Sequence, residues 1–517
     1  MWTRRLVVLS GAALLGALLT APVAQAHERG LPLGPRGLPE TRTTETLQPG
    51  VTLTTIVRGV ADSADSWTVE ISIPGGGPDP DVPPTALSTR AAADQLAAAL
   101  RSAGFEPRVE DVTTPRLADF AGGSLGFRVR VGHHPTKALA DTQLAAVRAA
   151  GFAGSTVFTG WDGASTDRGP WVVRVLTVDP RRFRGSLAGD FGPDIERRET
   201  TSVLAAARGA TAAVNAGFFV LDPAAGAPGD PAGVGVYDGR LLSEAVNGRP
   251  SLVFSQNAHA TVTRNTWTGT VSSGRRTVRL DGLNRVPGLI RNCGGLGDAP
   301  TDRPLHDTTC TDPDELVAFT ADFGASTPAG PGAEAVVDAH GRVVTVRTPR
   351  GGPLPAGARS VQATGSRAAE LTNLAQPGQK LTITSRLSGA RSDYVINGGP
   401  ELVRDGRQHA TPARDGMVHP NDPSWYYGWA AKRNPRTIAG VDARGRVVLI
   451  TVDGRSTSSL GLSIAESAAV AQALGMRDAI NLDGGGSTTM VANGKVINTP
   501  SDATGERPVG DAILVLP

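Results

Sequence analysis

Cysteine is almost absent from this 517-residue chain: Cys293 and Cys310 are the only two. A disulfide-dense scaffold and a cysteine-ligated zinc cluster are both excluded. No H-E-x-x-H or similar spacing calls for zinc either. The sequence implies no required cofactor, and a divalent cation stays open. Aromatic residues make up 4% of the chain, too few for an open sugar-stacking cleft lined with tryptophan. Lysine occurs only at positions 137, 380, 432 and 495, and the formal net charge is +2. With no basic run, nucleic acid is not an indicated partner.

Long apolar runs are missing too, except at the start. Arg4 and Arg5 precede an apolar stretch, Leu6 to Leu19, and Ala24-Gln25-Ala26 offers the small residues a signal peptidase accepts. The run is shorter than the ~20 residues that span a bilayer. Residues 1–26 read as a signal peptide, with the mature chain beginning near His27 and no later transmembrane segment. In such an exported chain the isolated cysteine pair is expected to form a disulfide, closing a short Gly/Asp/Pro-rich loop. The chain-entropy model gives such a link ~3 kcal/mol.

Residues 27–50, rich in Pro, Gly, Arg and Thr, read as a linker, and Val51 to Arg58 as a strand. An internal repeat follows. Trp67 to Ile73 is a predicted strand, Thr85 to Ala103 a helix, and Phe105 to Val112 a strand. The order recurs with a strand at Phe127 to Val131, a helix at Thr136 to Ala150 and a strand from Phe152 to Phe158. Both helices end in A-G-F, at Ala103-Gly104-Phe105 and Ala150-Gly151-Phe152. The glycine supplies the left-handed residue past each helix end. Two such units predict a ferredoxin-like split β-α-β sheet with both helices on one face. From Trp171 the pattern is mixed α/β, so the fold class is α/β in the α+β sense: a small split β-α-β domain, then a larger mixed-sheet domain.

The strongest local motif is Ile480-Asn481-Leu482-Asp483-Gly484-Gly485-Gly486-Ser487-Thr488-Thr489-Met490. A helix precedes it, opened by the capping pair Ser463 and Glu466 and ended by Gly475. Asp483 then sits at a strand end. Glycines there allow backbone N–H groups to turn toward an anion, and Ser487 and Thr488 add hydroxyls. No Gly-Lys-Ser/Thr follows, which excludes a Walker phosphate loop. A second motif is Pro435-Arg436-Thr437 to Asp442, then Val447 to Val452, then Asp453-Gly454-Arg455. A hairpin puts Arg436 and Asp453 at one end, where a guanidinium and a carboxylate can clamp phosphate and orient a sugar hydroxyl. The plainer alternative is an ordinary surface ion pair. Two Asn turns, Asn215-Ala216-Gly217 and Asn397-Gly398-Gly399, each follow an apolar strand.

In that order, N-A-G-F-F, I-N-G-G-P, P-R-T-x-x-G-V-D, V-D-G-R and N-L-D-G-G-G-S-T-T-M resemble the catalytic domain of the phosphodiester glycosidases. This is the family of N-acetylglucosamine-1-phosphodiester α-N-acetylglucosaminidase. The resemblance spans residues 170–517 and implies hydrolysis of a sugar's anomeric bond to phosphate. It implies substrate-binding positions at Asn215, Asn397, Gly398, Arg436, Thr437, Arg455, Gly485, Ser487 and Thr488. Asp483 is the first choice for activating water or stabilising a cationic centre, and Asp453 the second. Glu401 and His419 are further candidates; Glu466 is explained by its capping position. Cys293 to Asp314 matches nothing in the family pattern.

Residues 67–165 resemble the SPOR domain, a module that binds peptidoglycan glycan strands. Its carriers are W-T-V-E-I-S, A-x-x-L-x-x-A-L-R-x-A-G-F and F-R-V-R-V-G. Residues 51–66 then hold a strand that can belong to the catalytic domain, making the SPOR-like unit an insertion. The combined expectation is a secreted, cell-wall-associated bacterial hydrolase. It would take an N-acetylglucosamine-like sugar off a sugar-1-phosphodiester, with the SPOR-like unit as a separable tether. Two alternatives are a phosphodiesterase cutting P–O at the same site and a non-catalytic wall-binding protein.

Overall fold

The strand Val447–Val452 is apolar at every position but Thr451 because both of its faces are covered. Val447 and Leu449 pack into one core, and Val448, Ile450 and Val452 into another. It lies near the middle of an eight-stranded antiparallel sheet that organises the molecule. In the computed structural model, residues 30–72, 85–246, 248–294, 304–389 and 391–517 are described, and Leu31–Pro517 forms one compact unit. The signal-peptide reading therefore lies outside the described residues. No helix among the described residues is long and apolar enough to cross a membrane.

We label the first strands β1 (Glu40–Gln48), β2 (Val51–Arg58), β3 (Trp67–Ile71), β4 (Pro107–Thr114), β5 (Gly123–His134), β6 (Gly154–Phe158) and β7 (Trp171–Val178). The first two helices are α1 (Arg90–Ser102) and α2 (Lys137–Ala149). The main sheet runs β1, β2, β7, then Val447–Val452, Arg436–Asp442, Met476–Asn481, Glu401–Arg404 and Arg407–Gln408. A five-stranded sheet containing Ala212–Asn215 and Ala512–Leu516 contributes to one core with Leu53, Leu176, Leu449 and Ile480. Helix Ile464–Ala473 packs on the other face, its start closed by the reciprocal Ser463–Glu466 capping box the sequence predicts.

The stretch read as a linker is corrected in part: residues 40–48 are β1, paired with β2 along its length. Its sequence, E-T-R-T-T-E-T-L-Q, has no apolar face because it is an edge strand exposed along most of one side. Upstream of it, Leu31, Leu33 and Leu38 are buried. β2 pairs with β7, so the repeat between them is inserted within one continuous sheet.

The repeat folds as expected. The order β4-β5-β3-β6 is antiparallel throughout, and both helices cover one face through Ala93, Ala97, Leu100, Leu144 and Val147. Gly104 and Gly151 both have φ of +88°, the left-handed end the A-G-F strings predict. The first helix starts later than predicted, at Arg90 with Thr89 as cap. Before it, the Ala86 and Leu87 N–H groups donate to the Ser424 hydroxyl, so those residues serve docking instead of helix.

The opposite face of this small sheet is not free. Glu70, Arg128 and Arg130 point away from the helices and meet Asp162, Tyr427 and Lys432. Glu70 is buried between Arg130 at 2.8 Å and Lys432 at 3.0 Å, and it accepts from the Tyr427 hydroxyl at 2.8 Å. Arg433, also buried, pairs with Asp167 and Glu466 and donates to the Gly160 carbonyl. The separable-tether expectation is therefore corrected: the unit is cemented to the larger domain by buried charge. Glu70→Gln should leave Arg130 and Lys432 undercompensated and cost on the order of 3 kcal/mol. Urea unfolding measures this, and a loss below about 1 kcal/mol would mean the network is dispensable.

Candidate active site

The motif loops leave neighbouring strand ends and converge on a cavity of about 170 Å³. Arg436 opens the strand Arg436–Asp442, and Asp483 follows the antiparallel strand Met476–Asn481 beside it. Arg455 follows the end of Val447–Val452, at φ +53°. All three line the cavity, together with Gly484, Gly485, Gly486, Asn434, Asn481 and Arg507.

Arg436 is 3% exposed. Its Nε donates to the Leu462 carbonyl at 2.9 Å and its Nη2 to the Trp429 carbonyl at 2.7 Å. That carbonyl comes from the π-helical turn Tyr427–Ala431, next to the docked SPOR-like unit. Arg436 has no carboxylate ion pair among the described residues. Burial, and then the charge of Arg455, lower its pKa to about 9. Arg455 donates to Asn434 Oδ1 at 3.1 Å, and burial followed by the charge of Arg507 lowers it too. Two guanidiniums on one cavity, without an ion-pair partner among the described residues, suit an anion.

Burial also pushes the Asp483 carboxyl up to about 7; the Ser487 hydroxyl, the Arg507 charge and the Gly484 N–H pull against it, and Asp307 adds to the rise. Asn215 braces this loop from behind. Its Nδ2 donates to the Asp483 carbonyl at 2.8 Å, and its Oδ1 accepts from Thr437 Oγ1 at 2.7 Å and from the Thr489 N–H at 3.1 Å. Asn397 exchanges hydrogen bonds with the Phe218 backbone, accepting at 2.9 Å and donating at 3.2 Å. Gly398 is packed so closely that a Cβ would meet the Asn481 carbonyl at 2.8 Å. These four, Asn215, Thr437, Asn397 and Gly398, hold the walls and do not line the cavity.

The glycine loop works differently from the reading above. The N–H groups of Gly485, Ser487 and Thr488 donate to the carbonyls of Pro435, Gly484 and Gly485, and that of Gly484 donates to Asp483 Oδ1. These four N–H groups are spent within the protein and are not available to an anion. What glycine provides is room: a Cβ on Gly486 would collide with Asp502 and Arg507, and one on Gly485 would meet Arg455 at 3.2 Å. Ser487 and Thr488 lie buried beneath the loop and do not line the cavity.

Asp453 is not in the cavity. Arg436 sits opposite Val452, and side chains alternate, so Asp453 points to the other face. There its carboxylate pairs with Arg174 at 2.8 Å and accepts from the Thr499 N–H at 3.1 Å. Glu401 is likewise bound to Arg264 and Arg404. His419 stacks on Trp425 and its Nε2 lies 3.1 Å from the His306 carbonyl.

Sequence reasoning missed one wall entirely, the unassigned stretch after Cys293. Strands Leu289–Arg291 and Thr309–Thr311 pair, and Cys293 and Cys310 form the expected disulfide. The hairpin brings Arg291, His306 and Asp307 to the cavity, with Asp307 accepting from Arg291 at 2.8 Å. The pair of cysteines was the only signal that this loop is held against something.

The comparisons with known proteins follow this geometry. The phosphodiester glycosidase profile matches residues 331–516, and the SPOR profile matches residues 85–158, so the chain carries at least these two modules. Over that C-terminal stretch the chain resembles the phosphodiester glycosidases. A protein of Burkholderia pseudomallei K96243 provisionally described as exported is 35% identical. The alignment covers 94% of this chain and 98% of that one, with a TM-score of 0.84. A hypothetical protein of Synechocystis, 17% identical with a TM-score of 0.54 over 92% of this chain and 76% of its own, shares the fold. The N-acetylglucosamine-1-phosphodiester α-N-acetylglucosaminidase of Bos taurus is 45% identical over 67 residues. That stretch is 13% of this chain and spans only 12% of the bovine protein.

Two outcomes follow. Inorganic phosphate should raise the melting temperature by binding the folded state. Arg436→Met should remove that rise, as a thermal scan with and without phosphate will show; a rise kept in the variant would place the anion elsewhere. The second concerns Asp483, whose raised pKa stabilises the fold at low pH and whose contribution is lost as pH climbs from about 4 to about 7. Asp483→Asn escapes that loss. Its melting temperature relative to wild type should therefore increase between pH 5 and pH 8, whereas a constant difference would show that the carboxyl titrates normally.

Proposed function

We propose that the chain is an exported bacterial hydrolase that releases a sugar from a sugar-1-phosphodiester. One juxtaposition carries the reading: Arg436 and Arg455, without ion-pair partners among the described residues, share a cavity with a carboxyl at about 7, Asp483. The guanidiniums suit the phosphate, and Arg507 adds charge beside them. The leaving group is a phosphomonoester, so expelling it needs little proton donation. What remains is to steady a cationic sugar carbon and to activate water. Ionised Asp483 faces the cavity and serves both needs: water attacks C1, the C1–O bond breaks with its electron pair on the phosphate oxygen, and Asp483 takes the water proton. Asn215 and Thr437 hold the loop in place. An N-acetylglucosamine-like sugar is suggested by the bovine relative's name, and export by the N-terminal signal pattern and by the Burkholderia protein's description.

The SPOR domain supports a substrate in the cell wall, such as a sugar phosphate linking a secondary polymer to muramic acid. One observation favours a different role for it: the sheet face left free by its helices is occupied by Tyr427 and Lys432. On that reading the domain is chiefly a brace, and glycan contact falls to its helices and edge strands. Sedimentation with purified sacculi separates the two. Co-pelleting of Asp483→Asn protein supports wall binding, and protein left in the supernatant supports the brace.

Hydrolysis of an aryl sugar phosphodiester in ¹⁸O water tests the reaction. Label in the sugar is expected; label in phosphate would reassign the site to P–O cleavage. Because the ionised carboxylate is needed, kcat/KM should rise with pH through about 7. Asp483→Asn should lose at least ~10²-fold in kcat.

A further inference from the structure

We propose that His306 is a substrate-facing hydrogen-bond donor of this site and that Arg249 is its positioning residue. The idea rests on the reading of the cavity as a phosphodiester site. His306 lines the cavity from the disulfide-closed hairpin and is 5% exposed. Its place is set on several sides. The backbone N–H donates to the Gly416 carbonyl at 2.9 Å, and the carbonyl lies 3.1 Å from His419 Nε2. The ring meets Phe218 edge to face at 4.6 Å.

The ring nitrogens are then distinguished by elementary chemistry. Arg249 Nη1 lies 3.4 Å from His306 Nδ1. A guanidinium has donors only, so Nδ1 must be the acceptor and carry no proton. The neutral ring then carries its proton on Nε2, which has no protein partner among the described residues and is left for the cavity. The charged groups around the ring agree. Burial and the charges of Arg249 and Arg291, with smaller contributions from His419 and Arg436, hold His306 well below the usual histidine range.

Arg249 itself is hard to explain otherwise. It is buried, makes no ion pair among the described residues, and its Nε and Nη2 have no partner. A glycine at 416 makes its place possible, since a Cβ there would meet Arg249 Nη2 at 2.8 Å. A buried cation with this little compensation is costly, and its contact with His306 gives it a use. A neutral imidazole so held donates a hydrogen bond without giving up its proton. The recipient would be a phosphate oxygen gaining charge as the C1–O bond breaks.

The test begins with ¹⁵N spectra of the wild-type protein, whose eight histidines keep assignment tractable. His306 should appear as the neutral Nε2–H form near pH 7, with its Nε2 signal moving on addition of inorganic phosphate. An Nδ1–H form, or a doubly protonated ring, overturns the proposal whatever the activity. Arg249→Met should mix the tautomers and shift the His306 pKa upward, short of its ordinary range because burial and Arg291 still hold it down, with kcat falling while KM changes less; Arg249→Lys, which keeps a charged donor, should restore much of both. His306→Ala should lose ~10²-fold in kcat, the usual loss for one oxyanion donor, and His306→Gln, which keeps an N–H, should lose less. Unchanged kcat in His306→Ala would sink the catalytic half. If wild-type protein cleaves no sugar phosphodiester, the function proposed above fails, and the tautomer result still stands or falls separately.

Discussion

The structure turns on a buried positive charge that no carboxylate among the described residues pairs with directly. Arg436 sits at the start of a fully buried strand and is held by main-chain carbonyls from Leu462 and Trp429 instead of a carboxylate. Carbonyl oxygens fix the guanidinium's direction without cancelling its charge. Its partners must therefore be supplied by rigid neighbours, because a mobile carbonyl would leave the charge desolvated at a cost of several kcal/mol. Much of the surrounding architecture meets that need.

The SPOR domain belongs to this support. The π-helical turn that offers the Trp429 carbonyl continues into the half-buried Lys432 and the buried Arg433, whose side chains pair with Glu70 and with Asp167 and Glu466. Buried ion pairs of this kind are weak contributors to stability but strict about geometry. An inserted domain therefore helps to hold a backbone segment one hydrogen bond from the cavity. The SPOR-like unit and the cavity are thus coupled through shared packing, unlike two modules on a flexible linker.

On the opposite wall the disulfide plays the corresponding part. The hairpin closed by Cys293 and Cys310 carries few hydrogen-bonded ladder residues, yet it brings Arg291, His306 and Asp307 to the cavity. Asp307 adds negative potential beside Asp483, while the cations across the cavity pull the other way. A carboxyl at about 7 results from that balance together with burial. Such a group can change protonation within a catalytic cycle near neutral pH.

Much of the local structure was legible in the chain alone. Repeated A-G-F endings located two helices and their left-handed glycines, since that conformation is set within a few residues. The capping box at Ser463 and Glu466, the disulfide and the ordered motifs were likewise short-range or one-to-one features. The edge strand at 40–48 was not, because its pairing lies with β2 and its own residues carry no apolar face. Only tertiary structure decided that Asp453 turns away while Arg436 turns in, because strand register selects the face of each side chain. It alone showed that Asn215, Thr437 and Asn397 are braces, that the glycines admit arginines while most of the loop's N–H groups bond within the protein, and that His306 and Asp307 belong to the cavity. Each of those outcomes depends on distances between residues far apart in sequence, and composition and spacing do not contain them.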